Sequence, residues 1–254
     1  FHMWTPDVYE GSPTSVTSFF AIVPKIAGIA VFIRFMYSPF QNILDEWQYI
    51  LVFISIASMI LGAVAAINQK NIKRLIAYSS ISHMGYAIAG ISTGTESGFK
   101  STIIYILIYS VMNIGFFAFV FLMKRSGKYI EDINELSGIS KNHPLAALSL
   151  LIVLFSLAGI PPLAGFFAKF YIFMSVIENG MYALAIIGLV TTVVSAFYYI
   201  RIVKVMYFDS PKKPFESFKS YGIYGSLIFS CLFLSSFFMY PSIFNGIISK
   251  INIF

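Results

Sequence analysis

Three residues could do chemistry in surroundings that otherwise forbid it. Lys25, His83 and Lys169 each stand within a long, mostly apolar stretch. An ionisable side chain in hydrocarbon is costly, and one that persists there is a functional position by default. An amine can hold or release a proton, and an imidazole titrates near neutrality, which suits a shuttle. Two amines and an imidazole are therefore the parts of a route for a small cation, above all a proton. The eleven acids are Asp7, Glu10, Asp45, Glu46, Glu96, Glu131, Asp132, Glu135, Glu178, Asp209 and Glu216, and none falls in the middle of an apolar run. Lys25 and Lys169 thus lack an evident carboxylate partner, which implies that part of the machinery lies outside this chain.

The elements around these residues are unusual. Lys169 ends the stretch Ala158-Gly-Ile-Pro-Pro-Leu-Ala-Gly-Phe-Phe-Ala-Lys169, between the apolar runs Pro144–Leu157 and Phe170–Ile177. Each run is too short to cross a bilayer, and together they make about one crossing interrupted by Gly159, Pro161, Pro162 and Gly165. Proline removes a backbone donor and clashes with the preceding turn. A broken helix survives in a membrane only where protein buries it or it lines a wet cavity. Lys25 follows Pro24 near the middle of Thr14–Tyr37. For both lysines the plain alternative is an amine that snorkels to the interface. His83 lies in Leu75–Thr93, where Ser79, Ser82, His83 and Tyr86 recur at three and four residues. They share one helix face, expected to look at protein or water, where nearby serines and the tyrosine could order a short water chain. A histidine satisfied by a backbone carbonyl is the plain alternative. His2 and His143 fall near interfaces, and Lys73-Arg74 read as an anchor at the start of a span.

Composition agrees with a membrane setting. The 254 residues are 58% hydrophobic, 18% aromatic and 11% charged, with a mean hydropathy of +0.81. Soluble domains carry about 25% charge. The order of spans reads Thr14–Tyr37, Gln48–Ile67, Leu75–Thr93, Ser101–Met123, the broken 144–177, Met181–Met206 and Tyr221–Ile248, the last with a possible kink at Pro241. A span of about 20 residues matches a hydrocarbon core of about 30 Å at 1.5 Å per residue. Residues 1–13 read as a turn-rich interfacial segment, and 124–143 as the longest polar loop. If the chain enters from the cytoplasm, twelve lysines and arginines fall on the cytoplasmic side, in the loops around residues 70–74, 124–141 and 201–219. Only Arg34, Lys100 and Lys250 fall opposite. That asymmetry is what the positive-inside rule predicts. The net charge of +6 alternates by loop and forms no contiguous patch, which argues against nucleic acid.

Several chemistries are excluded. There is no glycine-rich nucleotide loop, nucleophile elbow or HExxH, so this chain has no site for NADH or covalent catalysis of its own. The single Cys231 can form no internal disulfide. Most of the 45 aromatic residues are expected to face lipid or fill the core, and Gly62, Gly85, Gly90 and Gly115 to allow close helix contact. The chain opens Phe1-His2-Met3-Trp4, with no initiator methionine at position 1, and is expected to be part of something longer.

Three stretches carry a family resemblance: FHMWTPDVYEGSPTSVTSFFAIVPK at 1–25, NIKRLIAYSSISHMGYAIAG at 71–90 and GIPPLAGFFAKFYIF at 159–173. Through them the chain resembles the antiporter-like membrane subunits of proton-pumping NADH–quinone oxidoreductase (respiratory complex I), and among those the subunit N branch. The resemblance implies an all-α polytopic bundle of about seven spans, part of a fourteen-helix fold with two inverted five-helix repeats. Residues 1–37 would end the first repeat, 48–206 would be the second, and 221–249 a C-terminal transmembrane helix. Lys25, His83 and Lys169 match the family's relay positions on the eighth, tenth and twelfth helices. The family's glutamate and further lysine on the fifth and seventh helices are not in this chain, which puts pumping by the chain alone in doubt. It further implies a non-redox subunit that binds no cofactor, with NADH, FMN, iron–sulfur clusters and quinone in partner subunits. Its neighbours would be other membrane subunits of the complex, in a bacterial inner membrane or, if organelle-encoded, the mitochondrial one. A component of a multisubunit cation/proton antiporter or of a membrane-bound hydrogenase is the alternative, and a purely structural remnant the third.

Overall fold

The computed structural model describes residues 3–216 and 220–239. His2, Lys219, Lys250, Pro241 and the end of the expected last span lie outside the described residues. The ten helices described are α1 Thr5–Gly11, α2 Thr14–Tyr37, α3 Leu44–Ala66, α4 Ile72–Ser92, α5 Glu96–Val120, α6 Ile139–Asn142, α7 Pro144–Ala158, α8 Ala164–Glu178, α9 Tyr182–Phe208 and α10 Tyr221–Ser236. Among the described residues the only strands are a two-residue hairpin, β1 Lys124–Arg125 with β2 Lys128–Tyr129.

Local chemistry sets several of these boundaries. The Asn71 side chain accepts from the Lys73 and Arg74 amides at 2.8 and 3.2 Å, capping α4. Thr95 caps α5 by accepting from the Gly98 amide at 3.2 Å. Gly159, at φ 84°, closes α7 in the left-handed conformation, and Pro161-Pro162 separate it from α8. Within the turn-rich segment 1–13, Thr5–Gly11 is helical, with Pro6 in its first turn and Tyr9 buried.

Among the described residues five helices are long and apolar enough to cross a bilayer: Thr14–Tyr37, Gln41–Ala66, Glu96–Val120, Tyr182–Phe208 and Tyr221–Met239. The other two expected spans are of another kind. α4 has the length but carries serines and His83, and α7 and α8 have 15 residues each. The outward faces of α3 and α9 are apolar, with Tyr49, Ile50, Phe53, Ile186, Val193 and Phe197 exposed. The mid-helix hydroxyl residues Ser55, Ser58, Thr191 and Ser195 are buried. This is the pattern of a bundle whose solvent is lipid.

α4 forms the centre. The sequence pattern predicts one sheltered face, but α4 is buried nearly all round, from Ile72 to Ser92. α3 lies against it closely: a Cβ on Gly62 would stand 2.5 Å from the Ser82 amide, and one on Gly85 would stand 2.7 Å from Met59. Gly90 and Gly115 are equally tight, so the expected packing role holds for all four glycines.

One end of the bundle is strapped down by ions. Arg74 pairs with Asp7 at 2.8 Å and Glu10 at 2.7 Å, and buried Lys73 pairs with Glu131. Lys73 and Arg74 thus anchor α4 to protein on both sides. Arg201 donates to the carbonyls of Ile67 and, at 2.6 Å, Gln69, just past α3. In the 124–143 loop Glu135 joins Arg125 (2.7 Å) and Lys212 (2.8 Å). Hydrogen bonds from Lys212 and then Arg125 hold its carboxyl below the usual carboxylate range. Such a clasp stabilises above the ordinary carboxylate pKa and weakens only as pH falls through the depressed one.

Candidate functional site

All three residues singled out in the sequence point into the bundle. Lys25, on α2, is half-buried. Its Nζ donates to the Ser80 hydroxyl and, at 3.2 Å, to the Tyr109 hydroxyl. It also lies 5.3 Å from the Tyr9 ring centroid and 5.4 Å from that of Tyr109. Phenol faces stabilise a cation electrostatically, so rings and hydroxyls do here what a carboxylate would do elsewhere. Among the described residues no acid forms an ion pair with Lys25 or Lys169.

His83, on α4, is 2% exposed. Its Nδ1 lies 2.6 Å from the Tyr105 hydroxyl and its Nε2 3.3 Å from the Tyr199 hydroxyl. Both ring nitrogens therefore meet phenols from α5 and α9 rather than a backbone carbonyl. Tyr199 in turn bonds Ser79. The Tyr109 ring that borders Lys25 also lies 5.0 Å from the imidazole, centroid to centroid. Tyr109 thus touches the amine with its hydroxyl and the histidine with its ring.

Lys169, on α8, is 4% exposed and does not snorkel. Its Nζ donates to the carbonyls of Leu157 (3.0 Å) and Ala158 (3.1 Å), the last two residues of α7. A helix end leaves such carbonyls without intrahelical partners, and a cation there is favoured by the helix dipole. The break in the chain thus gives the amine its site. Proline and glycine stop α7, the chain folds back, and the first turns of α8 bring Lys169 to the carbonyls. The Nζ also lies 5.2 Å from the Tyr86 ring centroid. Tyr86 stands 6.1 Å from the His83 ring, and its hydroxyl bonds Thr191 (3.2 Å) and Thr192 (3.0 Å).

The order through the bundle is therefore Lys25, Tyr109, His83, Tyr86, Lys169, flanked by Tyr105 and Tyr199. The sequence supplied Tyr86, Ser79 and Ser82 as neighbours of His83. It did not supply Tyr105, Tyr109, Tyr198 and Tyr199, which were expected to face lipid or fill the core. The available signal was the four-residue spacing of Tyr105 and Tyr109, which puts both on one face of α5. Ser82 reaches back to the Met59 carbonyl at 3.4 Å and Ser80 serves Lys25. The Ser195 and Tyr198 hydroxyls are buried without hydrogen-bond partners among the described residues. No group of three or more His, Cys, Asp or Glu that could hold a metal occurs among the described residues.

The chain as a whole is similar to known proteins. The family model described as NADH:quinone oxidoreductase/Mrp antiporter, transmembrane, matches residues 1–195. NADH-quinone oxidoreductase subunit N of Pelagibacter ubique (strain HTCC1062) is 61% identical over 253 residues, covering 100% of this chain and 54% of the relative. Subunit N of Parvibaculum lavamentivorans is 53% identical over 242 residues, covering 95% of this chain and 50% of the relative. This chain therefore spans about half the length of those relatives. A chain of respiratory complex I from Thermus thermophilus superposes with a TM-score of 0.81 at 31% identity, over 95% of this chain and 53% of that one. On the strength of the family match, the chain belongs to the NADH:quinone oxidoreductase/Mrp antiporter transmembrane family.

Proposed function

We propose that this chain is part of subunit N of a proton-translocating NADH–quinone oxidoreductase, acting as a non-redox component of its membrane arm. The observation that carries the proton role is the inward-facing series of two amines and an imidazole, joined by phenols and, among the described residues, without a carboxylate partner, inside a bundle with apolar outer faces. Lys25, His83 and Lys169 exchange protons along it. Tyr109 and Tyr86 bridge the intervals, with internal water where hydroxyls such as Ser195 and Tyr198 offer partners. The driving force comes from quinone reduction in other subunits, which hold the NADH, FMN, iron–sulfur and quinone sites. On this reading the described helices form seven spans of a fourteen-helix fold. Residues 1–37 close the first repeat, 48–206 form the second, and 221–249 the last helix, in a multi-pass bacterial inner-membrane protein.

The family name also covers antiporters, so a cation/proton antiporter subunit is the second reading, with a membrane-bound hydrogenase component beside it. Identity to subunit N relatives at 61% and 53% favours the first. Affinity purification of the tagged full-length protein is expected to bring down NADH dehydrogenase subunits. Recovery of small membrane proteins alone would select the antiporter reading. Reporter fusions are expected to place the 124–143 loop in the cytoplasm. A reporter active on the outer side would overturn the orientation and the helix assignment with it.

A further inference from the structure

A cavity of about 70 Å³ lies where the end of α5 and the starts of α7 and α10 meet the loop that follows α9. It contains none of the residues of the buried series. Three aromatic residues, Phe119, Phe215 and Tyr224, line it together with Glu216 and His143.

The fold leaves two of its polar groups over. His143 Nε2 is buried with no hydrogen-bond partner among the described residues. At this end of the bundle Glu10, Glu131, Glu135 and Asp209 are all ion-paired. Glu216 has no ion pair among the described residues and accepts from the Gly127 amide at 3.1 Å. A lone carboxylate beside a stranded imidazole nitrogen suits a positively charged donor. The rings suit the same occupant, because aromatic faces attract cations. Phe215 already has the Arg125 guanidinium 5.3 Å from its centroid, and Glu135 neutralises that cation. Among the described residues no cation stands over Phe119 or Tyr224.

Size and place narrow the occupant further. A water needs about 10–15 Å³ of such space, so the cavity takes the end of a head group rather than a fused ring system. Exposed apolar side chains flank it, Leu145 and Leu148 on α7 and Tyr221 and Ile228 on α10. The site therefore stands at the boundary between acyl chains and head groups. Lys141 and Lys213, close along the chain to His143 and Glu216, are exposed and without ion pairs among the described residues. They are placed to meet a phosphate at the rim.

We propose that this cavity binds the head group of a phospholipid and selects a primary ammonium over a quaternary one. An ammonium group carries three donors. One goes to Glu216 and one to His143 Nε2, with the charge against Phe119 and Tyr224. A trimethylammonium group satisfies the rings but donates nothing, which leaves the imidazole nitrogen stranded. The proposal needs the membrane setting and is independent of the proton-relay reading.

The test uses the full-length protein in its purified complex, held in nanodiscs of phosphatidylethanolamine and phosphatidylglycerol in equal parts. A water-soluble carbodiimide joins a carboxylate to an adjacent amine as an amide and leaves as its urea. Mass spectrometry of the digested chain is expected to find the lipid amide on Glu216 several-fold above that on Asp132. Asp132 is an exposed acid at the same end, unpaired among the described residues and outside the cavity. Exchanging the phosphatidylglycerol for phosphatidylcholine is expected to leave the Glu216 yield unchanged. His143→Phe and Tyr224→Leu are each expected to lower it about threefold, the loss of one hydrogen bond or one cation–π contact at a half-open site. Equal yields at Glu216 and Asp132, competition by phosphatidylcholine, or wild-type yields in both variants overturn the proposal. So does equal preference for Glu216 by free ethanolamine in phosphatidylglycerol nanodiscs, which would show an amine site with no lipid selection. None of these results touches the relay reading, because the residues involved stand outside the series.

Discussion

Lys169→Ala, made in the full-length protein within its complex, is expected to lower coupled quinone-reductase activity about tenfold or more and to leave the subunit in the membrane. The amine is buried and bound to the Leu157 and Ala158 carbonyls, so its removal does two things at once. It takes out a proton carrier, and it strips the cap from the end of α7. The second effect costs about 1–3 kcal/mol in stranded carbonyl groups, too little to expel a helix bundle from a bilayer. Lys169→Arg separates the two. A guanidinium keeps the charge and can bond the same carbonyls, but it does not give up its proton in a protein. If Lys169 serves only as a helix cap, Arg restores activity. If it carries protons, Arg restores assembly and leaves activity low.

Gly165→Ala is expected to disrupt both assembly and coupling. A Cβ at this position would stand 1.8 Å from the Ser156 carbonyl oxygen, and the Gly165 amide already donates to Ser156 Oγ at 3.0 Å. The obstruction is backbone, so no side-chain rotation relieves it. The start of α8 must move off the end of α7, carrying Lys169 away from its carbonyls. The cost is expected to reach about 3 kcal/mol, the upper end of ordinary overpacking. The measurement is incorporation of the subunit into the complex on native gels, together with thermal inactivation. Normal incorporation and stability would contradict the close crossing of the two half-helices.

Hydropathy made the long helices legible because each is a continuous apolar run; Thr14–Tyr37 is read with the same ends in sequence and structure. The break was legible because Gly159, Pro161 and Pro162 act locally. What the break does was not. Lys169 meets the α7 carbonyls only after the chain folds back, and no spacing along the sequence encodes that approach. α4 shows the limit of periodicity: a helix surrounded by protein need not confine its polar groups to one stripe, and Ser79, Ser80 and Ser82 serve Tyr199, Lys25 and Met59. The phenols were illegible for another reason. A tyrosine in an apolar helix fills a core, anchors at an interface or lines a polar path, and only the hydroxyl's partner separates these. For Tyr105 that partner is His83, and for Tyr109 it is Lys25. α1 was missed because seven residues with Pro6 and Gly11 carry too little pattern; the burial of Tyr9 and the Arg74 pairs hold it in place.

The central claim is that protons pass along the buried series from Lys25 through His83 to Lys169. The most direct measurement is the number of protons moved per NADH oxidised by the reconstituted complex carrying Lys169→Arg, compared with wild type. A lowered ratio in a fully assembled complex is the predicted result. A wild-type ratio at a wild-type rate would contradict the account, because a side chain that never releases its proton would then be enough.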